Sequence, residues 1–135
     1  MTRIVDIDAM FLFHAPGVAP ERVPARLKYE RRDPYAVTIV FRTGLGPVEW
    51  IFARNLLDVG LLIPSGDGNI VVRPCHADET RVFLDLAAPA GSAVLSADAR
   101  ELATFLDLTY DLVPPGGESR WIDIDDALSR LVATD

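Results

Sequence analysis

Cysteine is nearly absent: Cys75 is the only one, so no disulfide can close within the chain, and a reducing compartment is the expectation. Histidine occurs only at 14 and 76, and together with Cys75 these are too few soft ligands for a zinc site. Apolar runs are short. None approaches the ~18 residues of a membrane span, and Asp6 and Asp8 interrupt the N-terminal stretch where a secretory leader needs unbroken apolar sequence, so a cytoplasmic protein is expected. Catalytic signatures are missing as well: no Gly-x-Ser-x-Gly, His-Glu-x-x-His or Cys-x-x-Cys occurs, and Gly66-Asp67-Gly68 has neither the helix start nor the Lys-Ser pair that would complete a phosphate-binding loop.

What is present is an ordinary globular composition over 135 residues, half of them apolar, which reads as one domain spanning 1–135. The net charge of −7 lies wholly in the second half: residues 1–67 hold eight cations and eight acids, residues 68–135 five and twelve. A duplex-DNA reader is normally basic, and Arg26, Lys28, Arg31 and Arg32 form the only cluster from which a basic patch could be built. Lys28 is the sole lysine; twelve of the thirteen cations are arginine, the residue suited to planar, partly desolvated contacts.

Alternation predicts a strand over 4–14, with Val5, Ile7, Ala9, Phe11 and Phe13 on one face and, from Met10 onward, apolar side chains on both faces, as if covered from two sides. A second strand over 22–30 carries Pro24, which places it at an edge or a bulge. Strands over 36–43 and 48–53 around Gly44-Leu45-Gly46-Pro47 read as a hairpin. A short helix over 54–60 ends at Gly60, with Leu56, Leu57 and Leu61 free to cover a sheet. After a loop at 64–68, strands follow at 69–73, 81–86 and 93–95. A helix is expected with Ser96 as its N-cap and Leu102, Phe105, Leu106 and Thr109 on one stripe, ending before Pro114; another starts near Asp123. The order defines an α+β domain of antiparallel sheets in two ββ…α halves packed with C-terminal helices.

Three candidate chemistries arise. Cys75-His76 suggests a thiol or metal centre, but neighbours on an extended chain point apart, and a strand-end pair in a turn is the simpler reading. Glu118, Asp123, Asp125 and Asp126 offer carboxylates for a cation, although acids are expected at a helix start. Aromatics beside cations, Tyr29 near Arg26 and Lys28 or Phe41 beside Arg42, suggest a stacking platform for single strands, while core packing accounts for Val37, Phe41, Trp50 and Phe52. Trp121 lies between loop and helix, suited to cap the core or anchor a partner. No cofactor or metal is expected, and no enzyme.

Asp33-Pro34-Tyr35-Ala36-Val37, Phe41-Arg42-Thr43-Gly44, the run Val48-Glu49-Trp50-Ile51-Phe52-Ala53-Arg54-Asn55-Leu56-Leu57 and Gly60 together resemble the SsgA-like family of actinobacterial sporulation and cell-division proteins. The likeness continues through Pro64-Ser65-Gly66, Val71-Val72-Arg73-Pro74, the helix over 99–106 and Val113-Pro114-Pro115-Gly116. Asn69 departs from the aspartate of many members.

The resemblance implies a whirly-like fold, a homotrimer, and a non-enzymatic adaptor at the division septum that brings the tubulin-like GTPase FtsZ there, directly or through a sister protein. The alternative it leaves is a single-stranded nucleic-acid binder, which the acidic charge opposes. The motif residues Asp33, Pro34, Tyr35, Trp50, Phe52, Arg54 and Gly60 are expected to be structural: Asp33 and Pro34 as a turn, Tyr35, Trp50 and Phe52 as packing, Arg54 paired with Glu49 or Asp58 or with a partner.

Overall fold

A computed structural model describes residues 3–66 and 68–120. The helix expected from Asp123, the acids Asp123, Asp125 and Asp126, and Trp121 lie outside the described residues.

The fold is α+β. Four strands, β1 (Ile4–His14), β2 (Glu21–Glu30), β3 (Ala36–Thr43) and β4 (Gly46–Ala53), run into a short helix, α1 (Arg54–Gly60). Four more, β5 (Ser65–Gly66), β6 (Ile70–Pro74), β7 (Arg81–Ala88) and β8 (Gly91–Asp98), run into α2 (Ala99–Leu112). Each half is an antiparallel meander followed by a helix, and pairing of β1 with β8 joins the halves into one curled sheet of order β4-β3-β2-β1-β8-β7-β6-β5.

One face of the sheet makes the core. Phe11 on β1 is wholly buried and meets Phe41 edge-on with ring centroids 5.0 Å apart. Ala25, Leu27 and Tyr29 follow from β2, and Val72, Val82, Leu84, Leu95 and Ala97 from the second half, under the α2 stripe Leu102, Phe105, Leu106 and Thr109. Full burial of such an apolar side chain is worth roughly 1.5–3 kcal/mol, so period-2 strands and a period-3.6 helix select each other through one shared interior.

Several boundaries differ from the sequence expectation. Ser96 is not a cap: β8 runs through it to Asp98, whose carboxylate accepts a hydrogen bond from the Arg100 amide at 2.8 Å. Asp98 out-competes Ser96 because the apolar alternation of β8 holds until Ala97. Gly46 and Pro47 belong to β4, leaving Gly44-Leu45 as a two-residue turn, and Ser65-Gly66 pairs with Val71 and Val72 rather than staying loop. Pro24 sits at a local edge, as expected for the start of β2, with no partner strand on its β3 side. It lies opposite Met10, one residue past the β2–β3 ladder that begins at Ala25, where its lack of an N–H costs no bond. Met10 is 39% exposed in the single chain, so neither described helix covers it, while Leu12 on the same face is half-buried.

Gly60 does not end α1 by adopting a left-handed conformation. It is the helix's last residue, and it is glycine for want of room: a Cβ there would lie 2.4 Å from Val72 Cγ1. Its missing side chain lets α1 press directly on β6.

Candidate functional site

Arg54 and the Pro34 carbonyl of the family motif meet Tyr29, Tyr110 and Glu118 in one buried constellation at the junction of β2, α1 and the end of α2. Arg54, the first residue of α1, is only 2% exposed. Its amide donates to the carbonyl of Tyr35 at 2.7 Å, filling one of the donors that a helix start leaves open where Ala53 offers no side-chain cap. Its guanidinium crosses to the other helix. Nη1 donates to the carbonyls of Val113 (2.7 Å) and Thr109 (3.2 Å), and Nη2 to Glu118 Oε1 at 2.8 Å. Arg54 thus adds a cation to the C-terminal carbonyls and the negative dipole end of a helix that starts 45 residues downstream, where the Thr109 carbonyl also accepts from the Val113 amide at 2.8 Å.

Two tyrosines hold the guanidinium plane. Arg54 Cζ lies 5.0 Å from the Tyr29 ring centroid and 4.7 Å from that of Tyr110. The Tyr29 hydroxyl donates to the Pro34 carbonyl at 2.9 Å, tying the turn to the stack. Burial pushes the Tyr29 phenol up to about 12 although Arg54 pulls the other way. Burial likewise raises Tyr110, reinforced by its hydrogen bond with Asp58. For Glu118, burial by itself favours the neutral acid, but main-chain N–H groups and Arg54 outweigh it and hold the carboxyl below its ordinary range.

The remaining motif residues have separate places in the fold. Asp33 accepts from the Ala36 amide at 3.3 Å through its carbonyl, Pro34 is buried, Phe52 is buried at 5%, and Trp50 is half-buried against the core. Tyr35 differs from its expected packing role: its side chain stands 53% exposed, and it is its carbonyl that takes part, as the acceptor for Arg54. Arg54 pairs with neither Glu49 nor Asp58; Glu118, 64 residues away, is its carboxylate. Chemically the constellation anchors the segment after α2. It contains no nucleophile poised beside a base.

The other candidates separate. Cys75 follows β6 in a turn, its amide donating to the Arg81 carbonyl at 3.1 Å, and no group of three or more metal-ligating side chains forms among the described residues. Of the cation cluster, Arg31 is buried at 6% and Arg26 is engaged by Asp6 at 2.9 Å and Asp8 at 3.7 Å, so an open basic patch does not assemble. One cluster had no signal in the sequence: Ser96, 1% exposed, accepts from Arg81 Nη2 at 2.7 Å and lies 2.8 Å from His14 Nε2. Arg81 occupies the oxygen that would attack, and burial bars a substrate, so this serine–histidine contact is architectural. None of the described helices is long and apolar enough to cross a membrane.

A curled antiparallel sheet whose two helices are clasped by a buried arginine defines a small α+β module. The sequence pattern described as "Streptomyces sporulation and cell division protein, SsgA" matches residues 23–118, which include the whole motif and Glu118. The chain belongs to the SsgA/SsgB family of actinobacterial sporulation and cell-division proteins. It is 48% identical over 128 residues to the sporulation-specific cell division protein SsgB of Saccharopolyspora erythraea, covering 94% of this chain and 91% of that protein. To SsgB of Streptomyces coelicolor it is 46% identical over 113 residues, 82% of each chain. The crystal structure of an SsgA-like sporulation-specific cell division protein from Thermobifida fusca superposes with a TM-score of 0.86 at 38% identity, covering 94% of both chains. A further structure, from work relating mutations in SsgB to longitudinal cell division during sporulation of Streptomyces coelicolor, gives 0.82 at 40% identity, covering 87% of this chain and 94% of that one. The family-level role is in sporulation and cell division.

Proposed function

We propose that the chain is a non-enzymatic adaptor in septum-site selection during sporulation-linked division, acting in the cytoplasm at the septum to recruit or organise FtsZ, directly or through a sister SsgA-like protein. The observation that carries this reading is near full-length identity of 48% to a protein named for sporulation-specific division, on the same fold. As a homotrimer the chain would display several copies of one weak surface to a polymer whose sites repeat, so avidity would arise without a tight single contact. The burial of Arg31 and the pairing of Arg26 weigh against the nucleic-acid alternative.

The test is co-sedimentation of the purified protein with FtsZ polymers from the same source, with GTP and with GDP, beside a single-stranded DNA control. Pelleting with the GTP polymer alone supports direct recruitment. Pelleting only after a sister protein is added supports the indirect route, and retention on DNA instead overturns the reading. A folded monomeric variant should bind single protomers yet fail to bridge filaments.

A further inference from the structure

β1 is flanked unequally. Its residues from Ile4 to Phe13 pair with β2, but only Phe11 to His14 pair with β8. β8 ends at Asp98, and the chain there turns into α2, so among the described residues no strand lies on that side of β1 from Ile4 to Met10. The phase of this edge is fixed by Met10, whose amide donates outward to Glu101 Oε2 at 3.2 Å. Asp8, Asp6 and Ile4 share that phase and direct their N–H and C=O groups to the same side, repeating about every 6.8 Å. Among the described residues these groups have no partner there. A groove of about 300 Å³ lined by Ile7, Asp8, Arg100, Glu101 and Thr104 runs along this edge.

We propose that this open edge of β1 takes up an extended, cation-bearing segment of a second polypeptide by strand addition. Alternating donors and acceptors at strand spacing match another extended backbone better than any other ligand. The charge selects its sequence. Asp6 and Asp8 stand on one face of the edge, Arg26 lies nearer Asp6 (2.9 Å) than Asp8 (3.7 Å), and the Asp8 side chain is 87% exposed. Glu101 adds a third acid at the Met10 end, where Arg100 is the one cation lining the groove; Lys28 and Arg26 stand across from Asp6 and Asp8 on β2, and Asp8 is the acid left most open to solvent. A segment with lysine or arginine at alternate positions would set its cations across from Asp6 and Asp8. Self-pairing over the full length of this edge, centred on Ile7, puts Asp6 across from Asp8 twice, and like charges directly opposite are destabilising, so the fully paired occupant is a different, cation-bearing segment.

The experiment uses the full chain, labelled with nitrogen-15, and four probes. An eight-residue peptide alternating lysine and valine is expected to shift the amides of Asp6, Asp8 and Met10 and to slow exchange at Ile4, Asp6 and Asp8. A peptide alternating glutamate and valine, and the lysine peptide against the Asp8→Lys variant, are each expected to bind at least tenfold more weakly. The lysine peptide N-methylated at alternate residues keeps its charge but loses its backbone donors, and is expected not to bind. Equal binding by the methylated peptide, shifts away from β1, no shift at millimolar peptide, or shifts that follow protein concentration alone each overturn the proposal. None of these readouts involves FtsZ, so they stand or fall separately from the adaptor reading.

Discussion

Arg54 Nη2 and Glu118 Oε1 lie 2.8 Å apart across 64 residues of chain, the guanidinium side chain 3% exposed and the carboxylate 17%. The pair fastens the start of α1 to the segment that leaves α2. A reason for this can be found in α2 itself. Its last turn holds no basic residue, and Asp107 and Asp111 in its C-terminal half add negative charge where the dipole is already negative. Arg54 supplies the missing cation from outside the helix, and the rings of Tyr29 and Tyr110 hold it in place.

Removing that cation should therefore be costly. Arg54→Ala takes the cation from Glu118 and the donor from the Val113 carbonyl in a buried site, while the Thr109 carbonyl keeps the Val113 amide, and is expected to destabilise by about 3–5 kcal/mol. Arg54→Lys should recover only part of this, because an ammonium lacks the planar fork that reaches two carbonyls and a carboxylate together. Urea denaturation of Arg54→Ala, Glu118→Ala and the double variant gives the coupling energy; additive losses would show that the pair does not act as a unit.

Gly60 tests a different kind of contact. A Cβ at this position would fall 2.4 Å from Val72 Cγ1 and 2.9 Å from the Val72 carbonyl oxygen. Gly60→Ala is expected to cost about 1–3 kcal/mol through overpacking, even though alanine favours helix. In a Val72→Ala background the added cost should shrink but not vanish, since the Cβ at 2.5 Å and the carbonyl oxygen at 2.9 Å both remain. Thermal melts of the four variants decide it; a stabilised Gly60→Ala would mean that α1 can lift from β6 freely.

Much of this architecture was legible in the residues. Alternation found β1 to β4, β6 and β7, and the stripe of Leu102, Phe105, Leu106 and Thr109 found α2, because local periodicity is set by which face is buried. Ends were harder. Ser96 and Asp98 both suit an N-cap, and only the continued pairing of β8 with β7 decides between them. The partner of Arg54 was illegible for another reason: Glu49 and Asp58 are near in sequence, whereas Glu118 is brought in by tertiary packing. The signal was present all the same, in a helix with acids and no base at its C-terminal end. The exposure of Tyr35 carried no signal, since a motif position used for its carbonyl looks the same as one used for its ring.

Ser96 offers a check on the cluster that periodicity did not reveal. Its buried hydroxyl receives Arg81 and contacts His14, so Ser96→Ala would leave both without that partner. The expected loss is about 1–3 kcal/mol, with the dispersed shifts of β1 and β8 displaced in NMR spectra. A neutral substitution would show that water replaces the hydroxyl at no cost.

The clasp also sets how stability responds at both ends of the pH scale. The Tyr29 phenol is raised from its ordinary 10.0 to about 12 by burial, so in the folded state it keeps its proton after the unfolded chain has lost its own. Its contribution is complete below pH 10 and is lost as pH climbs from 10 towards 12, because over that window the unfolded chain gains charge that the fold resists. Glu118 behaves in the opposite sense. Its carboxyl is held below the ordinary 4.5, so its contribution is complete above that value and is lost as pH falls through the lowered one. Tyr29→Phe should therefore flatten the alkaline limb while leaving the acid limb in place, at a cost of about 1 kcal/mol for the bond to the Pro34 carbonyl. Glu118→Gln should flatten the acid limb only. Urea midpoints measured across pH, with phenolate absorbance followed in parallel, separate the two; an alkaline limb unchanged in Tyr29→Phe would place its origin in another tyrosine, with Tyr110, raised by its own burial and by Asp58, the next to replace.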